Sequence, residues 1–271
     1  MHLPAKKSLG QNFLKSKEAV RDIVSAADIQ PGDNILEIGP GKGVLTEALL
    51  AKLSTGGRLI AIEKDDRMIP LLREAFAGSL ASGKLILIHG DILEMTVEKL
   101  AECGLREGQY KIIANIPYYI TGQLLRMFLE SAYQPSKMVL MLQKEVAQRI
   151  VARDGKESIL SISVKAYGTP KYVAKVPAKY FSPEPAVDSA ILLIDAISKQ
   201  FFSKNQLSES AFFETVKLGF SHKRKILASN LEIPSDQRVQ TLSAIGLEEK
   251  VRAEEVAIEQ WAALAKIFRT D

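Results

Sequence analysis

Five short apolar runs mark the first half of the chain: NILEI (34–38), RLIAI (58–62), LILIH (85–89), KIIAN (111–115) and MVLML (138–142). Each is rich in Ile, Leu and Val and nearly continuous, the pattern of a strand covered on both faces. Between most of them the apolar positions take helical spacing, as in VLTEALLAKL (44–53) and RMIPLLREAF (67–76), the latter with Pro70 near its first turn. Such alternation predicts a mostly parallel sheet with helices on both sides. Two more β-like runs follow, SILSISVKAYG (158–168) and SAILLID (189–195), with no long helical stretch between them. They predict an antiparallel pair at one sheet edge. The segment joining them, 169–188, carries Pro170, Pro177, Pro183 and Pro185 and reads as a long loop. Beyond residue 196 the pattern is helical throughout: SESAFFETVKLGF, KRKILASNL, SDQRVQTLSAIG and AIEQWAALAKIF, divided by short polar or Pro/Gly breaks. The expected organisation is an α/β domain over 1–195 and a small all-helical domain over 196–271.

Composition narrows the class. At 271 residues the chain can bury a sizeable core, and 46% hydrophobic with 25% charged residues is ordinary for a soluble globular protein. There is no apolar run of membrane-spanning length and no apolar stretch in MHLPAKKSLGQNF to suggest export, so a cytoplasmic protein without membrane contact is expected. One Cys excludes an internal disulfide framework, and with three His it leaves no ligand set for a structural zinc. Net charge is only +4, but its distribution is uneven. Lys6, Lys7, Lys15 and Lys17 gather near the start, and Lys223, Arg224 and Lys225 stand together in SHKRK. Such clusters attract phosphate backbones, although a single one is more often a solvated face.

The glycine-rich stretch ILEIGPGKGVLTEALL changes the picture most. It reads as a strand ending at Glu37, a turn through Gly39, Gly41 and Gly43, and a helix. A dinucleotide fingerprint fails because Val44 occupies the third glycine position. A P-loop fails because Leu36 stands where its first glycine belongs and Gly43 follows the lysine. The pattern E-x-G-x-G-x-G resembles instead motif I of the S-adenosylmethionine-dependent methyltransferases with a Rossmann-like fold. Glu63 ends the next strand, where a carboxylate can accept bonds from both hydroxyls of a ribose. Asp91, in HGDIL, ends the third strand and can accept from the amine of an adenine. Alone, each acid reads as a cap or a surface charge; together they favour a cofactor site at the carboxyl edge of the sheet.

The fourth strand delivers NIPYYIT (115–121) to the same edge. Asn115-Ile116-Pro117-Tyr118 resembles the N/D-P-P-Y or N-L/I-P-Y motif of methyltransferases that modify exocyclic amines. An adenine amine is a poor nucleophile because its lone pair is delocalised into the ring. Accepting its two N–H bonds, with Asn115 Oδ1 and the Ile116 carbonyl, favours a pyramidal nitrogen with its lone pair aimed at the methyl. Pro117 restricts the backbone that presents that carbonyl, and Tyr118 offers a stacking face for an extruded base. Tyr119 is assigned to packing.

GQNFL, EIGPGKGVLT, NIPYYIT, MLQKEVAQRI and YFSPEPAVDSAILLI occur in the order found in the ribosomal RNA adenine dimethyltransferases. From about Gly10 to its end the chain resembles the small-subunit branch, the kasugamycin-sensitivity dimethyltransferases. The resemblance implies a class I methyltransferase sheet with a helical C-terminal domain that binds rRNA, and S-adenosylmethionine as methyl donor. It also implies dimethylation of two adjacent adenosines in a 3′-terminal hairpin of small-subunit rRNA, late in assembly of the 30S particle. By the same resemblance Asn12, Leu14, Gly39, Gly41, Glu63, Asp91 and Asn115 hold the cofactor. Phe181 packs against the target adenine or anchors its own loop, and Lys223, Arg224 and Lys225 contact rRNA. Lys223 stands where the family usually has arginine, and Ile116 is commoner in the large-subunit, macrolide-resistance branch. That branch, a non-catalytic assembly factor and a DNA adenine methyltransferase are the alternatives. No dimer seam is visible, and a monomer is expected.

Overall fold

The computed structural model describes residues 5, 6, 9–54 and 56–268. Two compact units emerge, one formed by residues up to 147 together with 169–197, the other by 148–168 together with 198 onward.

In the first unit a seven-stranded sheet is built from β2 (Asn34–Ile38), β3 (Arg58–Glu63), β4 (Leu85–His89), β5 (Tyr110–Asn115), β6 (Lys137–Gln143), β7 (Thr169–Val176) and β9 (Ser189–Asp195). The remaining two strands, β1 (Phe13–Leu14) and β8 (Phe181–Ser182), pair with each other. The sheet order is β4-β3-β2-β5-β6-β9-β7. The five strands of the α/β run pair in parallel, and β9 pairs antiparallel with both β6 and β7. Helix α1 (Lys17–Ala27) precedes β2, helices α2 (Val44–Lys52), α3 (Met68–Ala75), α4 (Ala77–Ala81), α5 (Val97–Glu102) and α6 (Thr121–Leu129) connect the parallel strands, and α7 (Lys144–Ile150) follows β6.

Buried residues fill both faces of the central strands. Ile35, Leu59, Ile113, Val139 and Ile191 belong to a core shared with α1 and α2. Their alternates Leu36, Ile60, Ile112, Leu140 and Leu192 are also fully covered. Continuous apolar runs are the consequence of that two-sided burial. The sequence order reverses beside β2, where β3 lies on one side and β5 on the other, and open sheets of this type take ligands at such a crevice.

Residues 158–188 differ from expectation in two respects. Residues 159–165 are not a strand but a helix, α8 (Ile159–Lys165), and they belong to the second unit. Two serines decide this: Ser161 N donates to Ser158 Oγ (3.1 Å) and Ser158 N donates to Ser161 Oγ (2.7 Å). This reciprocal cap satisfies N-terminal amides that alternating β-branched residues would otherwise have sent to a ladder. The expected antiparallel edge pair exists, but its outer member is β7, inside the segment read as a loop. That strand tolerates Pro170 because it is the edge, exposes Thr169, Lys171, Val173 and Lys175, and carries a bulge between Tyr172 and Ala174. The boundary at 195/196 therefore omits a contribution of 148–168 to the second unit.

The second unit is helical among the described residues: α8, α9 (Gln200–Asn205), α10 (Glu209–Gly219), α11 (Leu227–Asn230), α12 (Arg238–Ser243) and α13 (Ile258–Ile267). Its core is aromatic, with Tyr167, Phe201, Phe202, Phe212 and Phe213 at centroid distances of 5.2–5.9 Å. Trp261 stacks on Phe220 at 5.5 Å and fills the space that Gly219 leaves open. The helix expected over 223–231 is shorter, since only 227–230 is helical and the basic residues precede it in a turn. No described helix is long and apolar enough to cross a membrane.

Candidate active site

A cavity opens at the carboxyl edge of β2, β3 and β5, roofed by residues 9–14 of the N-terminal strap. Its wall begins with the glycine turn. β2 runs one residue beyond Glu37, to Ile38, and Gly39, Gly41 and Gly43 then all have positive φ. At Gly43 a Cβ would lie 2.6 Å from the Phe76 ring, so glycine is required there by space as well as by backbone. At Gly39 a Cβ would meet nothing within 4 Å, which leaves open space above the turn.

Glu63 ends β3 as expected and is 4% exposed. Its Oε2 accepts from Gly41 N (2.9 Å) and its Oε1 from Asp65 N (2.7 Å), so it fastens the glycine turn to β3. A carboxylate has about four lone-pair sites, and two bonds leave capacity for the hydroxyls of a ribose. Burial raises its pKa, against the lowering effect of these amides. Asp91 lies two residues past the end of β4, not at it. Its Oδ1 caps a 3-10 turn through Leu93 N (3.1 Å), and its Oδ2 is paired with Lys64. Burial works to raise its pKa, but the Lys64 ammonium and the Leu93 amide outweigh it and the carboxyl is lowered. Both acids and both glycines, Gly39 and Gly41, border the same cavity.

Glu37 also reaches this cavity and is 1% exposed. Thr46 donates to its Oε2 (2.8 Å), while Oε1 is buried without a hydrogen-bond partner among the described residues. Burial pushes its pKa up to about 8, with nearby Glu63 adding to the effect. The side chain is therefore held neutral near pH 7.

Asn115 closes β5, and its Nδ2 donates to the Asn12 carbonyl at 3.2 Å. Ile116 is buried, with its N donating to Met141 O (3.2 Å), and among the described residues nothing donates to its carbonyl. Pro117 carries the chain into a 3-10 turn over Tyr118–Ile120. Tyr118 is half-buried, and its hydroxyl lies 2.8 Å from Ser189 Oγ on β9. Tyr119 is 62% exposed, with its ring beside Gly10, so it is not interior packing. Asn115, Ile116 and Tyr118 thus meet at the cavity.

The strap brings Asn12 and Leu14 to the cavity. It is held there by the β1–β8 pair, in which Leu14 stands opposite Phe181. Phe181 is 2% exposed and packs in the core with Leu14, Val20 and Ile23 while bordering the cavity, so its anchoring role is present in the structure. Lys42 lies over the Phe13 ring at 4.8 Å.

Of the N-terminal lysines, Lys6 is paired with Asp65 (3.4 Å) and Asp66 (3.2 Å), Lys15 and Lys17 are exposed, and Lys7 lies outside the described residues. In the second unit Lys223, Arg224 and Lys225 are all exposed in the turn after α10. Buried Asn230 shapes that turn by donating to the carbonyls of Gly219 and His222. No group of three or more His, Cys, Asp and Glu that could hold a metal occurs among the described residues.

Sequence reasoning missed Gln11, Asp65, Thr46 and Ser189. Gln11 adjoins Asn12 in GQNFL, which was a usable signal. Ser189 had none, because its contact with Tyr118 spans 71 residues.

The site can be compared with known proteins. The chain is 41% identical over 266 residues to ribosomal RNA small subunit methyltransferase A of Dehalococcoides mccartyi, covering 97% of this chain and 88% of that protein. It is 36% identical over 273 residues to the protein of the same name from Fusobacterium nucleatum, covering 99% of both. The crystal structure of the 23S rRNA methyltransferase ErmE has a similar fold, with a TM-score of 0.76 at 24% identity over 94% of this chain and 98% of that one. A dimethyladenosine transferase from Plasmodium falciparum gives 0.75 at 24%, over 94% and 97%. The model of the ribosomal RNA adenine dimethylase family matches residues 3–270, and the chain belongs to that family.

Proposed function

We propose that the protein dimethylates the N6 amines of two adjacent adenosines in the 3′-terminal hairpin of small-subunit rRNA, acting as a monomer on a late pre-30S particle. Membership of the family makes it an rRNA adenine dimethyltransferase that uses S-adenosylmethionine. The small-subunit substrate is carried by the near full-length similarity to relatives named for that subunit.

Bound in the cavity, S-adenosylmethionine supplies an electrophilic methyl on a cationic sulfur. The glycine turn and Glu63 suit its amino-acid and ribose parts, and Asp91 suits its adenine amine. On the acceptor side, Asn115 Oδ1 and the Ile116 carbonyl take the two N–H bonds of the target amine in the first transfer, and one of them takes the single remaining N–H in the second. The proton displaced by each methyl leaves to bulk water, and the sulfur departs as a neutral thioether. Tyr118 holds the extruded base by its ring face, with its hydroxyl tethered to Ser189. Orientation and exclusion of water supply the acceleration, and no strong general base is required. Lys223, Arg224 and Lys225 meet rRNA phosphates from the helical unit.

Labelled S-adenosylmethionine, supplied with immature 30S or 50S particles and followed by mapping of the modified base, tests the assignment. Label at adjacent adenosines of the small-subunit rRNA is expected; label in 50S alone overturns it. Asn115→Ala should abolish transfer, a loss of at least about a hundredfold for two roles removed at once, while particle binding persists. Near-normal transfer by that variant would remove Asn115 from the reaction.

A further inference from the structure

The strap over the cavity is tied down by a side chain with no part in the roles above. Gln11 uses both ends of its amide. Its Oε1 accepts from Lys6 N (2.8 Å), and its Nε2 donates to Asp65 Oδ2 (2.8 Å). Asp65 is a firm anchor: it is 1% exposed and receives Arg67 Nε (2.9 Å) and Nη2 (2.6 Å). The Arg67 guanidinium in particular holds its carboxyl well below the usual carboxylate range, so the acceptor for Gln11 stays charged. Asp65 N in turn donates to Glu63, which ties the strap to the same carboxylate that fastens the glycine turn.

The next residue of the strap meets the reaction site. Asn12 presents its carbonyl to Asn115 Nδ2 at 3.2 Å. A carbonyl can only accept, so this contact selects one of the two flips of the Asn115 amide. Nδ2 turns to the strap, and Oδ1 is left free to accept. The opposite flip would set two acceptors against each other. It would also offer N–H groups to an amine whose own N–H bonds need acceptors.

We propose that Gln11 is a positioning residue for methyl transfer: by latching the strap to Asp65 it holds the Asn12 carbonyl against Asn115, and so keeps Asn115 Oδ1 as the acceptor for the target amine. This rests on the role given to Asn115 above. A strap that merely covers the bound donor would act on affinity alone. A strap that sets the Asn115 amide acts on the chemical step even when both substrates are saturating.

Steady-state transfer to whichever particle accepts label separates these cases, using Gln11→Ala, Gln11→Glu and Asn115→Ala in parallel. Loss of one hydrogen bond to a charged acceptor corresponds to about tenfold. Gln11→Ala should therefore lower kcat about tenfold at saturating S-adenosylmethionine and particle. Gln11→Glu, which keeps the side chain's size but faces Asp65 with a second carboxylate, should lower it further. A raised KM for S-adenosylmethionine with unchanged kcat overturns the proposal and assigns Gln11 to covering the cavity. If Gln11→Glu turns over as fast as Gln11→Ala or faster, the pairing with Asp65 is overturned. If Asn115→Ala retains transfer, the role of Asn115 itself fails. If it loses transfer while Gln11→Ala keeps kcat, only the latch fails.

Discussion

Glu37 shows how one carboxyl can make the stability of the fold depend on pH. It sits at the heart of E-x-G-x-G-x-G, buried, with one oxygen bonded to Thr46 and the other without a partner among the described residues. Its pKa is raised from 4.5 to about 8 in the folded chain. The sign follows directly: between these values the unfolded chain has released the proton and the folded chain still holds it. The folded state binds more protons there, so stability falls as pH rises from about 4.5 to about 8. The loss is a few kcal/mol, because each tenfold change in the acid constant is worth on the order of 1.4 kcal/mol. Glu37→Gln keeps the acceptor for Thr46 and removes the titration. Its denaturation midpoint should be flatter across this window and, at a pH above about 8, higher than the wild type's. A wild-type slope retained in the variant would assign the titration to another group.

At the level of elements, α8 is the instructive case, because its pattern and its conformation disagree. Ser-Ile-Leu-Ser-Ile-Ser-Val alternates as a strand would, and Ile and Val favour strands. The helix forms because Ser158 and Ser161 exchange hydrogen bonds at its start and because Ser161, Ile162 and Val164 are buried. Ser158→Ala should cost about 1 kcal/mol, the usual worth of such a cap. The loss should show as faster amide exchange over α8, and Ser158→Asp should preserve most of the protection. Unchanged exchange in the alanine variant would mean that burial alone holds the helix. The converse holds for β7, where Pro170, Lys171 and Lys175 suggest a loop but suit a strand with a free edge.

Charge is a property of the whole molecule, and a net +4 understates it. Lys6 is engaged by Asp65 and Asp66, whereas Lys223, Arg224 and Lys225 are exposed in a turn braced by Asn230. If these three meet phosphates, affinity for the rRNA particle should fall steeply with salt. Replacing all three by alanine should lessen the slope of log K against log salt by about 2. An unchanged slope in filter-binding titrations would remove this turn from the interface.

The parallel sheet, the glycine turn, the two acids behind it and the Asn115–Tyr118 edge were all legible along the chain. These are local matters: a buried parallel strand must be continuously apolar, and a tight turn at positive φ admits little but glycine. The family was legible too, through motifs spread over most of the sequence. Everything else awaited the packed molecule. Whether 159–165 became strand or helix turned on the Ser158–Ser161 cap together with the burial of Ser161, Ile162 and Val164. That Glu63 reaches back to Gly41, that Tyr118 finds Ser189, and that Gln11 finds Asp65 are contacts between distant positions. Their geometry exists only once the strands are in register, and no pattern of neighbouring residues encodes it.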